Sequence, residues 1–110
     1  MIRRGEIYLI APAPDPGDPR SRRACVVVSR KTLCQSSFGK VVVAAIHSDA
    51  DGLSTEVALG VDEGMKWSCV IKADQLFLIE KARLTNFVAG LRAPKLRELN
   101  QALSIALDLV

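Results

Sequence analysis

The sequence predicts a mainly β fold, in which a partly closed antiparallel barrel of short strands is followed by a C-terminal helix. Two features of the 110-residue chain carry this prediction. Five or six short runs of apolar and β-branched residues are separated by turn signals, and the spacing of apolar residues changes to 3.6 in the last stretch. Because we find no interdomain linker, we interpret residues 1–110 as one domain.

The first half of the chain alternates apolar runs with turns. Residues 11–23 hold four prolines and a glycine and end in a basic segment, and we interpret them as a loop because proline cannot donate to a sheet ladder. A short helical turn is expected at residues 31–36. The predicted strands of this half are residues 6–10 (EIYLI), 24–29 (ACVVVS) and 40–47 (KVVVAAIH).

The second half contains shorter extended runs and then a helix. Turns are expected at residues 48–52 and at residues 61–66 around Gly64. The predicted strands are residues 55–59 (TEVAL), 68–73 and 75–79. A helix follows from Pro94, because proline suits a first turn. Two apolar strips recur at helical spacing: Leu96, Leu99, Leu103, Leu107 and Val110, and then Ala102, Ile105 and Leu109. A surface helix on a monomer needs only one such strip, so the extra strip indicates that a second chain, or another part of the same domain, packs there; we favour a homodimer.

The composition argues against several classes of protein. The chain is 49% hydrophobic, which disfavours disorder, and no apolar run approaches the ~20 residues that span a bilayer. We see no signal peptide and expect a cytoplasmic protein without a membrane partner. The three widely spaced cysteines fit neither a zinc motif nor a redox pair, and we expect buried, reduced thiols. With a single histidine and no suitably spaced carboxylates, we expect no metal site and no cofactor.

Charge is unevenly distributed along the chain. Residues 1–40 carry eight Lys/Arg and three Asp/Glu, whereas residues 41–65 carry five acidic residues and no Lys/Arg. A basic first third indicates an anionic partner, and nucleic acid is the usual case. An ordinary solvated surface is the alternative interpretation.

The order of several short motifs resembles the MazF/PemK toxin family. Each motif alone is weak, but together they run along nearly the whole chain. The segments are residues 4–8 (RGEIY), 23–29 (RACVVVS), 43–48 (VAAIHS), 55–59 (TEVAL), 74–76 (DQL) and 81–84 (KARL). The resemblance implies an SH3-like barrel, a homodimer and a sequence-specific endoribonuclease that cleaves single-stranded RNA in a groove across the dimer. It also implies a cognate antitoxin with an acidic, partly disordered segment that blocks the groove.

The resemblance identifies Arg23 as the charged catalytic group, and His47 falls where the family places a catalytic threonine. RNA carries its own nucleophile, the 2′-hydroxyl, so the protein has to position the strand, move protons and stabilise negative charge. A guanidinium at the mouth of a strand suits the last task. His47 is suited to proton transfer, with Ser48 holding the phosphate, or else Ser48 takes the role of the threonine.

Further residues are candidates for binding RNA. The cations at positions 20, 22 and 31 suit phosphates, and the aromatic side chain at position 67 could stack on a base. The pair at positions 74 and 75 could read base edges or brace the loop. These candidates are Arg20, Arg22, Lys31, Trp67, Asp74 and Gln75. Tyr8 and Phe38 are weaker stacking candidates.

Two other functions compete with the nuclease. CcdB shares this barrel and inhibits DNA gyrase by binding it, and fold alone does not separate the two activities. A non-catalytic nucleic-acid-binding barrel is the third interpretation. Gyrase poisoning without RNA cleavage would favour a CcdB-like inhibitor. Salt-sensitive binding of both RNA and DNA, without cleavage products, would favour the non-catalytic binding barrel.

Overall fold

The computed structural model describes residues 1–109, so Val110 of the predicted helical strip lies outside them. Short 3₁₀ turns lie at Val61–Glu63 and Lys81–Arg83. None of the helices in residues 1–109 is long and apolar enough to cross a membrane. The regular elements are β1 (Glu6–Leu9), β2 (Ala24–Val27), α1 (Lys31–Gln35), β3 (Lys40–His47), β4 (Glu56–Leu59), β5 (Cys69–Glu80), β6 (Asn86–Gly90) and α2 (Ala93–Ala106).

The six strands of the described chain form one antiparallel sheet in the order β4-β5-β3-β2-β1-β6. The long strands β3 and β5 lie next to each other near one end, and the chain's first strand pairs with its last. This half-barrel with a C-terminal helix confirms the predicted fold class. The sequence neighbours β1 and β2, β2 and β3, and β4 and β5 pair directly, whereas β3 pairs with β5 and β1 pairs with β6.

Alternation of side chains along the strands fills two apolar cores, one on each side of the sheet. The first core includes Ile7, Val26 and Ile71 and is covered by α2. The second core includes Val27 and Val43 and is covered by α1. All three cysteines are buried and unpaired within residues 1–109, as their apolar surroundings predict.

The stretch expected as two runs, residues 68–73 and 75–79, is a single strand with an irregular ladder. Along β3, Ala44 pairs with Leu76 but the next residue, Ala45, pairs with Lys72. Three residues of β5, Ala73, Asp74 and Gln75, therefore form a bulge with no counterpart on β3. The polar pair at 74 and 75 marks this bulge in the sequence, and a bulge re-aims side chains without ending a strand.

Strand β6 was missing from the sequence prediction. Its sequence, NFVAG, contains asparagine and glycine at its ends, and its residues are intermediate or exposed. The strand forms because β1 offers a partner at the edge of the sheet, with Ile7 facing Ala89. Tertiary pairing overrides local propensity here.

Helix α2 ends at Ala106, earlier than the predicted strip. Its buried face combines both predicted strips, with Leu99 and Ala102 fully covered. Ile105, Leu107 and Leu109 are exposed, at 40%, 52% and 71%. No side chain caps its first turn, because the N-cap residue is Arg92, which has no side-chain acceptor for the free N–H groups of that turn.

Candidate functional site

The pairing of β2 with β3 brings Arg23 and His47 to the same end of the sheet. Cys25 faces Ala45 and Val26 faces Ala44 in this antiparallel ladder. Continuing the register by two residues sets Arg23 opposite His47. Directly opposed residues on antiparallel strands have Cβ atoms about 5 Å apart and project on the same side. Two residues far apart in sequence thus become neighbours through register alone.

Arg23 and His47 line a concavity of about 380 Å³, here called the arginine cleft. Gln75 of the β5 bulge forms part of the same wall, and a second, adjoining concavity contains Arg23, His47, Gln75 and also Ser48. The three predicted catalytic residues are therefore brought together within one chain. The arginine cleft is lined by Pro19, Arg20, Arg23, Ala24, Ala45, Ile46, His47, Gln75, Leu76 and Phe77.

The loop of residues 11–23 is held by a carboxylate shared between two guanidinium groups. Asp18 accepts hydrogen bonds from Arg20 at 3.0 Å, through Nε and Nη2, and from Arg83 Nη1 at 2.7 Å. The contacts with Arg20 and then with Arg83 hold the pKa of Asp18 well below its usual range. Arg83 was not singled out in the sequence, where it follows β5 as an ordinary basic residue.

The Arg20 side chain thus binds Asp18 within the loop and also lines the arginine cleft. Its guanidinium lies 5.5 Å from the ring centre of Phe77 and donates to the carbonyl of Leu78 at 3.3 Å. The bonds to Asp18 raise the pKa of Arg20. Arg20 therefore supplies a fixed positive wall rather than a mobile contact.

Arg23 is positioned by the backbone just before β2. Arg22 donates its N–H to the carbonyl of Ile10 at 2.6 Å, and Ile10 donates to the carbonyl of Arg23 at 2.9 Å. Two residues thus face one, as in a β-bulge, and Arg22 takes the left-handed φ of 65°. Arg23 Nε donates to the carbonyl of Pro19 at 3.1 Å. Its terminal nitrogens, Nη1 and Nη2, have no protein acceptor within residues 1–109 and can form a bidentate contact with an anion.

His47 ends β3 and contacts the bulge of β5. Its Nε2 lies 2.7 Å from Oε1 of Gln75. The ring is partly buried, whereas Gln75 is exposed. The contact joins two positions 28 residues apart, and it exists because the bulge displaces Gln75 from the regular ladder.

Ser48 begins the loop between β3 and β4, and this loop is anchored by Glu56. The Glu56 carboxylate accepts the backbone N–H groups of Asp51, Gly52 and Leu53 at 2.9–3.2 Å. It also accepts a bond from Lys72 Nζ at 2.8 Å. Four donors on one carboxylate hold the exposed Ser48 segment against the sheet.

Lys72 is the main site-adjacent residue that the sequence interpretation missed. It is only 8% exposed, and its Nζ contacts Asp51 at 2.5 Å as well as Glu56. Lys72 lowers the pKa of Glu56 from 4.5 to about 2, with the loop N–H groups adding to the effect. The two carboxylates raise the pKa of Lys72, Asp51 first. The only related sequence signal is the run of five acidic residues without a cation at 41–65, for two of which, Asp51 and Glu56, Lys72 supplies the opposite charge.

Trp67 lies on a second cleft of about 350 Å³, here called the tryptophan cleft. The Trp67 side chain is 67% exposed. His47 and Ala24 line both this cleft and the arginine cleft, so His47 stands at their boundary. The tryptophan cleft is lined by Leu9, Ala24, Ile46, His47, Ser48, Gly64, Met65, Lys66, Trp67, Cys69 and Val88.

The remaining candidates lie outside these concavities. Asp74 accepts a bond from the hydroxyl of buried Thr55 at 2.5 Å and so braces the start of β4. Lys31 begins α1, which covers the second core, and is exposed there. Tyr8 is buried, with its hydroxyl donating to Glu6 at 2.9 Å. Phe38 is 54% exposed in the turn before β3.

Fold and cleft together define the class: a small antiparallel half-barrel that sets a guanidinium and an imidazole at one end of its central strands. The sequence matches, over residues 3–107, the model of the family described as PemK-like, MazF-like toxin of type II toxin-antitoxin system. The chain belongs to this family. A search of curated proteins finds no match.

Solved structures share this fold. An endoribonuclease in complex with its cognate antitoxin, from a mycobacterial species, is similar with a TM-score of 0.84 and 21% identity, covering 100% of this chain and 98% of that one. The Mycobacterium tuberculosis toxin MazF-mt6 gives a TM-score of 0.79 at 22% identity, over 94% and 96% of the two chains. A MazE-MazF structure from Deinococcus radiodurans gives 0.73 at 22%, over 99% and 98%.

Proposed function

We propose that this toxin is a sequence-specific endoribonuclease that cleaves single-stranded RNA with the RNA 2′-hydroxyl as nucleophile. The observation that carries the proposal is the convergence of Arg23, His47 and Ser48 on one concavity in a chain of the MazF-like family. The fold neighbour described as an endoribonuclease supports the reaction class.

The proposed reaction is an internal transesterification. The 2′-oxygen bonds to the adjacent phosphorus, its proton leaves, and the bond from phosphorus to the 5′-oxygen breaks with that oxygen taking up a proton. The products are a 2′,3′-cyclic phosphate, which hydrolysis opens to a 3′-phosphate, and a 5′-hydroxyl. Because RNA supplies the nucleophile, the mechanism requires no metal and no cofactor, and DNA cannot react in this way.

Each catalytic role follows from chemistry at the cleft. The two unpaired nitrogens of Arg23 suit the phosphate oxygens, whose negative charge grows as phosphorus becomes pentavalent. His47 carries one of the two protons, and solvent handles the other. The Ser48 hydroxyl donates to the phosphate. In the competing version of the mechanism, Ser48 takes the proton-transfer role and His47 is a neighbour.

The two clefts suggest a path for the strand across the sheet end. Nucleotides on one side of the scissile phosphate would meet the positive wall of Arg20, and those on the other side would meet the exposed ring of Trp67. Gln75 belongs to the first cleft and Asp74 braces the bulge beside it. Arg22 and Lys31, both exposed, would add long-range attraction for phosphates.

The assembly and partners are proposed on similar grounds. The exposed apolar residues at the end of α2 suit a homodimer contact, with RNA bound in a groove across the dimer. A cognate antitoxin with an acidic segment would complement the basic first third of the chain, as the antitoxin complex of the fold neighbour suggests. The proposed place of action is the cytoplasm, where mRNA is available and no membrane partner is needed.

The test is cleavage of a long single-stranded RNA by purified protein in the presence of EDTA, followed by mapping of the cut ends. We expect discrete cuts with 5′-hydroxyl ends. A matched oligonucleotide with a 2′-deoxy residue before the cut site should bind but stay intact. His47→Ala and Ser48→Ala are compared in the same assay, because only loss of the proton carrier should lower the rate of the chemical step strongly.

Three outcomes would contradict the proposal. Cuts that require a divalent metal, or that occur in the 2′-deoxy substrate, would exclude attack by the 2′-hydroxyl. DNA gyrase poisoning without RNA cleavage would identify a CcdB-like inhibitor. Salt-sensitive binding that treats RNA and DNA alike, with no products, would identify a non-catalytic binding barrel.

A further inference from the structure

We propose that Gln75 is a positioning residue that fixes the tautomer of His47, so that Nδ1 is the nitrogen that exchanges protons with the substrate. The inference rests on the proposed ribonuclease function, but its structural half can be tested without RNA. Its starting point is the 2.7 Å contact between His47 Nε2 and Oε1 of Gln75.

The polarity of this contact follows from the chemistry of its two atoms. A carboxamide oxygen can only accept, so the ring nitrogen that faces it must carry the proton. A neutral imidazole holds one N–H, which places the proton on Nε2 and leaves the lone pair on Nδ1. Nδ1 has no hydrogen-bond partner within residues 1–109. It is therefore the free acceptor of the ring.

The β5 bulge explains why Gln75 is held where the contact can form. On one side of the bulge Lys72 pairs with Ala45, and on the other Leu76 pairs with Ala44. Between them, Ala73 is buried and donates its N–H to Thr55 at 3.0 Å, and Asp74 binds the Thr55 hydroxyl. The backbone of Gln75 is thus fixed on both sides, while its side chain makes no packing contribution to either core.

A fixed tautomer has a direct consequence for proton transfer. The ring can accept the 2′-hydroxyl proton only through a nitrogen that bears a lone pair and faces the cleft. If the tautomer were free, a fraction of molecules would present an N–H there instead and could not act as a base. Orientation of a histidine by a hydrogen bond on its other nitrogen is a recurrent arrangement in acid-base catalysis.

The tautomer can be measured directly, because His47 is the chain's single histidine. Long-range ¹H–¹⁵N correlation spectra of labelled, RNA-free protein, recorded at about pH 9 where a histidine ring is neutral, distinguish Nδ1–H from Nε2–H. We expect the Nε2–H form in the wild type. In Gln75→Leu, which keeps the approximate length but has no acceptor, we expect a mixture of both forms. Gln75→Glu restores an acceptor and should restore the Nε2–H form.

Cleavage kinetics test the functional half. We expect Gln75→Leu to lower kcat by about 10- to 100-fold with KM changed less than about threefold, because the ring loses its fixed orientation in the cleft as well as its fixed tautomer, whereas an even mixture of tautomers alone would lower kcat only about twofold. Gln75→Glu should recover most of kcat but raise KM, because its carboxylate repels the phosphate chain. Gln101→Leu, an exposed site on α2, is the matched control for loss of a surface carboxamide.

The outcomes separate the two proposals. If wild-type protein shows the Nδ1–H form or a mixture, or if Gln75→Leu leaves the tautomer unchanged, the positioning role is wrong whatever the nuclease result. A shifted tautomer with unchanged kcat also overturns it and points to Ser48 as the proton carrier. If wild-type protein cleaves no RNA, the ribonuclease function fails, and with it the catalytic half of this inference, while the spectra still decide the contact.

Discussion

Replacement of Arg23 gives the sharpest test of the proposed chemistry. Its Nε is occupied by the carbonyl of Pro19, which leaves Nη1 and Nη2 for two charge-assisted hydrogen bonds to the phosphate. A single hydrogen bond involving a charged group contributes about 1.5–3 kcal/mol. Because the side chain is exposed, we take the lower end of this range for both bonds.

Two bonds at that level correspond to about 3 kcal/mol, or a loss of about 150-fold in kcat for Arg23→Ala. Arg23→Lys keeps the charge but cannot hold the Pro19 carbonyl and two phosphate oxygens with the same planar geometry. We expect it to be intermediate, about tenfold below the wild type.

The assay is single-turnover cleavage of a fluorescent RNA oligonucleotide, which isolates the chemical step from product release. Arg97→Ala removes the same charge from the exposed surface of α2 and serves as the control. If Arg23→Ala cleaves within about threefold of the Arg97→Ala rate, Arg23 does not stabilise the transition state and the assignment is wrong.

Three further predictions concern stability. Arg22→Gly should raise the free energy of unfolding by about 1 kcal/mol in urea denaturation, because glycine relieves the left-handed φ of 65°; a loss of stability would show that the Arg22 side chain stabilises the loop. Since folding lowers the pKa of Glu56 from 4.5 to about 2, its contribution to stability is present above pH 4.5 and lost as pH falls through about 2. Urea titrations across this window should show a shallower decline in Glu56→Gln than in the wild type, and equal slopes would refute the assignment. Leu99→Ala, in the fully buried face of α2, should cost about 3 kcal/mol, whereas Leu78→Ala, 48% exposed, should change stability by less than about 0.5 kcal/mol; similar thermal melts for both would contradict the described packing.

The predictable part of the fold is the part dictated by local patterning. Apolar runs at residues 24–29 and 40–47 indicate β2 and β3, because an uninterrupted apolar run suits a strand with both faces covered. β6 was not predictable in this way, since its sequence is weakly apolar and its structure depends on pairing with β1. The continuity of β5 was equally hidden, because a polar pair inside a strand looks like a break until the neighbouring ladder is known.

The candidate site likewise has a part that could be predicted from the sequence and a part that could not. Arg23, His47 and Ser48 were identified by resemblance, and the ladder between β2 and β3 then brings them to one concavity. Their support was not identified, because Lys72 stands in an apolar run and its acidic partners lie 16 and 21 positions away. Such contacts depend on the register of strand pairing, because a one-residue slip would move every side chain of a strand to the other face of the sheet. The local sequence of a strand does not determine this register.

The loop of residues 11–23 has four prolines, and its Asp18 carboxylate accepts hydrogen bonds from both Arg20 and Arg83. The prolines restrict the backbone of this segment even in the unfolded chain, and the bonds to Asp18 remove further freedom when the chain folds, before any ligand arrives. Under the proposed function, an incoming RNA strand would meet a loop that is already ordered, so that no entropy penalty for ordering this loop would weaken association. Capture should then be governed by electrostatic encounter, so that the association rate falls with ionic strength while loop motion leaves no kinetic lag.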